Sequence, residues 1–455
     1  MSPLVRIIPG VEIEVVKEIV PQILNPSGIV ALIGTAERGP VLKPIHVGSY
    51  KEFTEIFGAN SKYSLTKDAK LAFLNGVFEV VAIRVVGPGG KNASLILKDW
   101  TGKNTVKLIS LSPGKRGNDI EVKVGKGSRE NTVMMAIRLG REMEVYDNLE
   151  MLPESPNYLI KIINSRSKLV KAEDLKSPSK FPENNPADFS GKLSGGEDPK
   201  PPTRKDFEKA LEKLEAEPDV DMVMACDVWD PEIHALIDAH CKNMSKDAMG
   251  RIGIGTVAPG EDIDEIVKRT EKLSSDRFIL VAPYGVAGAV AGLISNLNYY
   301  ESPTFKPLTG IASLEVKYTP SQLRKLLNAG ILPVTFQKGR GIIVVKGITT
   351  SKEQINVVRI TDHAVRVVNN IAKDFIGTLN NAPGRIALKE RITEYLLRME
   401  REGAIVPSVS GEEPAFKVDV YCSELDFAQG IVRVDLAIRP VRAIDYIYAT
   451  ILVQI

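Results

Sequence analysis

Hydrophobic residues near the start of the chain follow the spacing of β-strands. Val11, Ile13 and Val15 alternate with glutamates, the period of two that is typical of a strand with one apolar face. The run Ile29–Ile33 is apolar at every position and predicts a strand buried on both faces. The proline-containing segment Pro21–Gly28 separates these strands, so the first is expected to form an isolated arm.

Strand and helix patterns alternate in the centre of the chain. Thr203 and Asp206 have the spacing of a capping box, and the helix that they begin carries Phe207, Leu211 and Leu214 on one face. The strand-like runs DMVMAC, RIGIGTVA and RFILVAP follow, each joined to the next by a helical pattern. Such alternation predicts a mainly parallel sheet that is covered by helices.

A different pattern precedes this α/β region. Between about Asn92 and Leu175, short alternating runs are separated by glycine-rich turns, which predicts a separate β-rich domain. The stretch Ser177–Pro202 is rich in Pro, Gly, Asn and Ser. We expect it to be a long linker or surface loop without a packed element.

Two longer helices are predicted towards the C-terminus, separated by Pro383-Gly384. The second covers Arg385–Glu402. The apolar positions assigned to the first are Val365, Val368, Ile371, Phe375 and Leu379.

Strands follow these helices and end in a run that is apolar on both faces. Val432, Val434, Leu436 and Ile438 share one face of a strand whose other face is charged. In the last run, residues 443–455, the apolar side chains of one face are Ile444, Tyr446, Tyr448 and Leu452, and those of the other are Ile447, Ala449, Ile451 and Val453.

Such a strand must lie centrally in its own sheet or be covered by another molecule, because an open one invites aggregation. Pattern alone leaves both alternatives open for this strand and for the N-terminal arm. One mechanism would serve both, namely that each subunit lends a terminal strand to a sheet in its neighbour. Head-to-tail lending of this kind generates rings or helical filaments.

Composition narrows the function without deciding it. The 455 residues contain 59 Lys and Arg against 57 Asp and Glu, and the net charge of +2 argues against general binding of nucleic acid or membrane surfaces. Cys226, Cys241 and Cys422 lack metal-ligand spacing and suit a reducing compartment inside a cell. The uncharged stretch Phe278–Ile294 is short for a membrane span and contains Pro283, so we interpret it as a buried strand that leads into a helix.

The motifs that suggest chemistry are weak. Gly34–Pro40 lacks the lysine and hydroxyl of a phosphate-binding loop, and Gly253-Ile-Gly255 lies inside a strand-like run rather than at a strand-to-helix turn. His234, Asp238 and Cys241 share one face of a predicted helix and have the spacing of a metal site or a Cys–His nucleophile. Because Cys241 continues the apolar face of that helix, a buried structural thiol is the simpler interpretation. No cofactor or metal is predicted.

Segments along nearly the whole chain resemble the contractile tail sheath family of bacteriophages and related injection machines. The segments that carry this resemblance are Pro9-Gly10-Val11, Gly34-Thr35-Ala36, Arg38-Gly39-Pro40, Phe53–Gly58, SPGKRGNDI, LSGGED, FEKALEKLEAEPDVDMV, VAGLI, GRGIIVVKGITT and INVVRITDHA through EGAIVPS. Two positions depart from the family pattern: Glu12 stands where a tyrosine is common, and Lys115-Arg116 where an aromatic residue is common.

The resemblance implies a multidomain fold of the α/β plus α+β class, with a central mainly parallel sheet, a β-rich outer domain and a C-terminal α+β domain with extended strand arms. The expected divisions are an N-terminal arm (1–27), the first part of the α/β core (28–91), the β-rich outer domain with its Pro/Gly-rich linker (92–196), the main α/β core (197–350), the C-terminal α+β domain (351–442) and a C-terminal strand arm (443–455).

The implied function is that of a structural subunit, not an enzyme. Sheath subunits form stacked six-membered rings around an inner tube and contract to drive the tube through a cell envelope. The implied partners are further copies of the chain, the inner tube protein, and the baseplate and tail terminator proteins, with no nucleic acid and no membrane insertion. The implied location is a virion tail or contractile particle that is assembled in the host cytoplasm.

The site residues expected from this resemblance fall into three groups. The inter-subunit strand arms would use Val11, Ile13, Val15, Ile444, Tyr446, Tyr448, Ile451 and Val453. The acceptor sheet would use Val418, Val420, Val432, Val434 and Leu436. A basic stripe of Lys389, Arg391 and Arg398 would face the tube, although ordinary solvation with a Glu394–Arg398 pair is the simpler alternative.

Two other classes of protein remain open on the sequence. One is an α/β enzyme with a cleft near Asp227, His234 and Pro283–Gly288. The other is a non-contractile ring or shell protein.

Overall fold

The structure of the chain is a computed structural model, and it describes residues 28–140 and 142–448. The strands, in chain order, are β1 (Ile29–Gly34), β2 (Ile45–Val47), β3 (Val80–Arg84), β4 (Asn92–Lys98), β5 (Asn104–Pro113), β6 (Glu121–Lys126), β7 (Val133–Leu139), β8 (Glu142–Leu149), β9 (Val170–Asp174), β10 (Phe189–Lys192), β11 (Val220–Ala225), β12 (Ile252–Thr256), β13 (Phe278–Ala282), β14 (Ile331–Gln337), β15 (Gly341–Val344), β16 (Phe416–Tyr421) and β17 (Arg433–Ile438).

Eleven α-helices occur in the described residues. They are α1 (Tyr50–Phe57), α2 (Ser64–Leu74), α3 (Leu159–Arg166), α4 (Arg204–Leu214), α5 (Pro231–Lys246), α6 (Ile263–Glu271), α7 (Ala287–Asn296), α8 (Pro320–Asn328), α9 (Ile355–Lys373), α10 (Ala382–Arg401) and α11 (Glu424–Ala428).

The largest sheet has eight strands in the order β15-β14-β13-β12-β11-β1-β3-β2, and the six inner strands are parallel. Every residue of β1, β3, β12 and β13 is buried, as expected for apolar strands with helices on both faces. One face packs against α1, α2 and α7, and the other against α4, α5, α6 and α8. The prediction of a mainly parallel sheet covered by helices is therefore confirmed.

Helix ends in this layer follow the sequence. Thr203 and Asp206 form the capping box of α4, and Asp230 caps α5 immediately before Pro231. Phe207 and Leu214 lie in the core beneath the sheet. The local signals and the tertiary packing agree in this region.

Two smaller sheets, β10-β6-β7-β8 and β4-β5-β9, share a separate apolar core. The prediction that Ser177–Pro202 contains no packed element is wrong. Within that stretch β10 pairs antiparallel with β6, and Leu193 is buried in the shared core. The open edge of β6 supplies the partner that the polar composition of this stretch does not reveal.

The remaining layer contains α9 and α10 with the two-stranded sheet of β16 and β17. The apolar face assigned to the first helix was partly wrong. Val365 lies on the exposed side of α9, and Leu379 is exposed beyond Lys373, where the helix ends. The buried positions of α9 that face α10 are Ile360, Ala364, Val367 and Ile371. Pro383 lies in the first turn of α10, where its missing N–H costs no hydrogen bond.

Candidate assembly surface

Strands β16 and β17 form an antiparallel ladder with an open edge on each side among the described residues. Val418 lies opposite Leu436, and Val420 lies opposite Val434. Beyond the ladder, the Arg439 N–H donates to the Ala415 carbonyl oxygen over 2.9 Å. A sheet of two strands is marginal alone, so each edge offers backbone groups to a further strand.

The ladder parity identifies those groups. Hydrogen-bonded and non-hydrogen-bonded pairs alternate along an antiparallel ladder. Since Ala415 and Arg439 are hydrogen-bonded to each other, the next pair, Phe416 and Ile438, is not. The same holds for the pairs Val418–Leu436 and Val420–Val434. The N–H and C=O groups of the valines on β16 therefore point away from β17. The Val420 N–H accordingly donates to the side chain of Asp419 over 3.1 Å rather than across the ladder.

The side chains of the ladder divide between its two faces. Val418, Val420, Val434 and Leu436 are half-buried against the apolar cluster of α9 and α10, while their neighbours in sequence are exposed. Val432 precedes β17 by one residue and contacts the same cluster. All five residues expected in the acceptor sheet thus lie at this surface, although no contact with a second chain is present to test the role.

The segment that follows β17 is held on the N-terminal end of α9. The Gln354 side chain accepts the Ala443 N–H over 2.9 Å and donates to the Ala443 carbonyl oxygen over 3.1 Å and to Asp445 over 2.7 Å. Asn356 donates to the carbonyl oxygen of Val441 over 3.0 Å. Lys346 forms an ion pair with Asp445 over 3.1 Å. The backbone up to residue 445 is thereby fixed to the folded body.

Apolar side chains on this segment are largely exposed, and among them Tyr446 still accepts a hydrogen bond from Lys346 over 3.3 Å. Ile444, Tyr446, Ile447 and Tyr448 have exposed fractions of 79%, 66%, 85% and 94%. No strand is assigned over 443–448. Among the expected arm residues, Val11, Ile13, Val15, Ile451 and Val453 lie outside the described residues.

The three basic residues expected to face a tube each have an acidic partner within the chain. Lys389 pairs with Asp419, Arg391 with Asp374, and Arg398 with Glu402. The partner of Arg398 is therefore not Glu394, as one alternative had it. All three basic side chains are about half exposed.

Of the residues named for an enzyme cleft, Asp227 lines a cavity of about 590 Å³ at the carboxyl ends of β1, β3 and β11, whereas His234 and Pro283–Gly288 do not line it. Asp227 pairs with Lys67 over 3.0 Å, and the Tyr284 hydroxyl donates to the same carboxylate. His234 is fully buried beside Phe278, and burial lowers its pKa to about 4. Its Nε2 lies 3.0 Å from the Val228 carbonyl oxygen.

Asp227 and His234 therefore do not meet as an acid–base pair. His234, Asp238 and Cys241 form no metal site, since the described residues hold no group of three metal-ligating side chains. Cys241 is fully buried, which fits the structural thiol favoured above. No helix in the described part of the chain is long and apolar enough to cross a bilayer.

Sequence reasoning missed Gln354 and Asn356, the residues that fix the C-terminal segment. Gln354 belongs to no motif, Asn356 lies in the segment INVVRITDHA without a predicted role, and both look like ordinary polar positions at a helix start. Their burial, at 7% and 1% exposed, is the only sign that they act within the fold. Their role in fixing the C-terminal segment becomes visible only when residue 443 is seen to lie beside α9.

The fold places the chain in a class of mixed α/β proteins with several sheets, and solved sheath proteins share it. The sheath tail protein of Listeria innocua has a TM-score of 0.69 at 17% identity, with 92% of each chain covered. The sheath tail protein of Desulfitobacterium hafniense has a TM-score of 0.66 at 16% identity, with 96% of this chain and 97% of that chain covered. The helical sheath of the anti-feeding prophage in its contracted state gives 0.56 at 13% identity, over 98% and 99%.

Sequence comparison adds one family model and one curated relative. Residues 200–350 match the family model of the phage tail sheath protein central domain. The tail sheath protein of Staphylococcus phage Twort (strain DSM 17442 / HER 48) is 27% identical over 284 residues, which are 56% of this chain and 46% of that protein. The chain thus spans about half the length of this curated relative. The resemblance to phage tail sheath proteins that the sequence indicated is confirmed.

Proposed function

We propose that the chain is the structural subunit of a contractile sheath, which polymerises as stacked six-membered rings around an inner tube and shortens to drive the tube through a cell envelope. The observation that carries this proposal is the two-stranded sheet of β16 and β17, which has two open edges beside an apolar C-terminal segment. A sheet edge and an extended apolar segment in one chain are the two halves of a strand-exchange contact.

Strand exchange between copies explains both features together. The acceptor is the β16–β17 sheet, where a strand from one neighbour adds to each free edge. The donors are residues 1–27 and 443–455, in keeping with the apolar faces of Val11–Val15 and Ile444–Val453. Such lending is head to tail, so it extends into a helical lattice rather than closing as a dimer.

The free energy for contraction comes from packing between subunits rather than from a bound nucleotide. Subunits move largely as rigid bodies while the terminal segments keep them attached, and new contacts between subunits stabilise the short state. A gain on the order of a few kcal/mol per subunit suffices, because hundreds of subunits act together. The partners in this scheme are the inner tube, the baseplate and the tail terminator, and the location is a phage tail or related particle assembled in the host cytoplasm.

Electron microscopy of the purified chain, alone and with its tube protein, tests the proposal. We expect hollow striated cylinders of two lengths for the intact chain. Removal of residues 1–20, or of residues 447–455, removes a donor strand and should leave single subunits or isolated rings. A matched control changes an exposed turn outside the surface without shortening it, such as Lys338→Ala between β14 and β15. Cylinders that form and shorten normally without either terminal segment would contradict the proposal.

A further inference from the structure

Two side chains, the buried Ser295 and the partly buried Asp221, hold the start of β1. The N–H of Gly28 donates to the Asp221 carboxylate, and the Ser295 hydroxyl donates to the Gly28 carbonyl oxygen. Gly28 has a φ of +96°, and a Cβ there would clash with the carbonyl oxygen of Ser295. Only glycine suits this conformation, so the point at which residues 1–27 join the body, here named the N-terminal root, is fixed.

The same carboxylate joins the N-terminal root to α9. Its second oxygen accepts from Arg366 over 2.5 Å, and Arg366 also donates to the Gly250 carbonyl oxygen over 3.0 Å. Arg366 is only 5% exposed, so this ion pair is shielded from solvent and salt. Asp221 therefore bridges the N-terminal root and the C-terminal half of α9.

The N-terminal end of α9 holds the other terminal segment. Residues 441–446, here named the C-terminal root, are fixed by Gln354, Asn356 and Lys346 through the contacts given above. Gln354 is the N-cap residue of α9, so its side chain moves with the helix. Both roots are thus attached to one helix, at positions ten residues apart from Asn356 to Arg366, or about 15 Å along its axis.

The helix between these positions is held along its length. Arg359 donates to the carbonyl oxygens of Leu297 and Asn298 over 3.1 and 3.2 Å, and Asp362 forms a partly buried ion pair with Arg277. Removing one partner of such a pair is destabilising, because the other charge is left largely shielded from water without its partner. Independent movement of either end of α9 is therefore unfavourable.

We propose that α9 is a rigid strut that keeps the N-terminal and C-terminal roots at one separation in both lengths of the sheath; this role rests on the proposed function. When neighbouring copies pull on the two terminal segments, the load passes from Gly28 through Asp221 and Arg366 to α9, and from α9 through Gln354 to residues 441–446. The change in sheath length then takes place outside the roots.

Pulsed electron spin resonance on the purified, unassembled chain measures this separation. Spin labels are attached at two exposed positions, Phe78 and Ile447. Phe78 precedes Glu79, whose carbonyl oxygen accepts the Val30 N–H near the N-terminal root. Ile447 lies just beyond the C-terminal root. Cys422→Ser removes the one partly exposed thiol, since Cys226 and Cys241 are buried. We expect a single narrow distance distribution in the intact chain.

Two variants each weaken one attachment. Arg366→Lys keeps the charge but loses the planar fork that reaches both Asp221 and Gly250. Gln354→Glu keeps the shape but cannot donate to Ala443 and repels Asp445. Each should broaden the distribution at least twofold while circular dichroism remains that of the folded chain. The matched control Arg204→Gln removes an exposed ion pair with Glu232 and should change nothing.

Narrow distributions in both folded variants would overturn the strut. So would a wild-type distance that differs between extended and contracted cylinders, measured with labelled subunits diluted among unlabelled ones. A chain that forms no cylinders would instead overturn the proposed function. The measurement on the unassembled chain would still decide whether α9 couples the two roots.

Discussion

Lys389 on α10 and Asp419 on β16 form an ion pair of 3.1 Å across the face of the acceptor sheet. The pair ties a residue expected to face a tube to the sheet expected to receive strands. Both side chains are about half exposed or more, so the pair contributes little stability, about 0–1 kcal/mol. The pair would have a larger effect on the binding of a charged partner, such as the tube, at this face.

Reversal of this charge tests the tube contact. Lys389→Glu places two carboxylates together and should lower stability by less than about 1 kcal/mol. If Lys389 faces an acidic tube, sheath assembly on tubes at low salt should fall steeply in Lys389→Glu and only slightly in Lys389→Gln. Co-sedimentation with tubes at two salt concentrations measures this. Equal assembly of the two variants would remove Lys389 from the tube contact.

Proline substitution tests the open edges of the acceptor sheet. The N–H groups of Val420 and Leu436 point away from the ladder, so proline removes only an outward donor at either position. Val420→Pro should block strand addition at β16, and Leu436→Pro at β17, with the subunit still folded. Electron microscopy should then show no long cylinders. Lys417→Ala is the matched control, and cylinders in either proline variant would contradict strand addition at that edge.

Asp68 should make the stability of the subunit depend on pH. Burial and the nearby Asp227 raise its pKa from 3.8 to about 7, against the opposing effect of Lys67. An acid with a raised folded-state pKa contributes stability below its unfolded pKa and loses it as pH rises through the folded value. The free energy of unfolding should therefore fall between about pH 4 and pH 7, by up to about 4 kcal/mol at 1.36 kcal/mol per pKa unit.

Asp68→Asn should flatten this dependence, since the amide does not ionise. Melting temperatures measured from pH 5 to 8 for both proteins compare the two slopes. An unchanged slope in Asp68→Asn would assign the dependence to another group.

Gly292 sets the distance between α7 and α2. A Cβ at this position would clash with the backbone of Ala72, which lies on α2. Gly292→Ala should separate the two helices and cost about 1–3 kcal/mol, as overpacking in a close-packed core does. Gly125→Ala, where a Cβ meets nothing within 4 Å, is the matched control and should be close to neutral. Thermal unfolding of both variants measures the difference, and equal melting temperatures would contradict the packing argument.

The sequence predicted best where local signals and burial agree. The parallel sheet follows from apolar runs such as Ile29–Ile33, and helix starts follow from caps such as Thr203 and Asp230. Prediction from the sequence failed where contacts with another element, or the end of a helix, decide the structure. β10 became a strand because β6 offers an edge, and Leu379 became exposed because α9 ends at Lys373.

The candidate surface was predictable only in part. The alternation around Val434 indicates a sheet with one apolar face, but it does not reveal that the sheet has only two strands within residues 28–448. Gln354 gave no signal, since a single polar residue at a helix start has many ordinary roles. Its function depends on a contact between residues 89 positions apart in the chain, which no local pattern encodes.

If neighbouring copies add strands to β16 and β17, as we propose, the last subunit of a growing stack still presents a sheet edge that is open among its described residues. Under that proposal, each addition that fills one edge presents another, so the strand contacts alone set no limit on growth. The length of the assembled cylinder would then have to be limited by a molecule other than this chain.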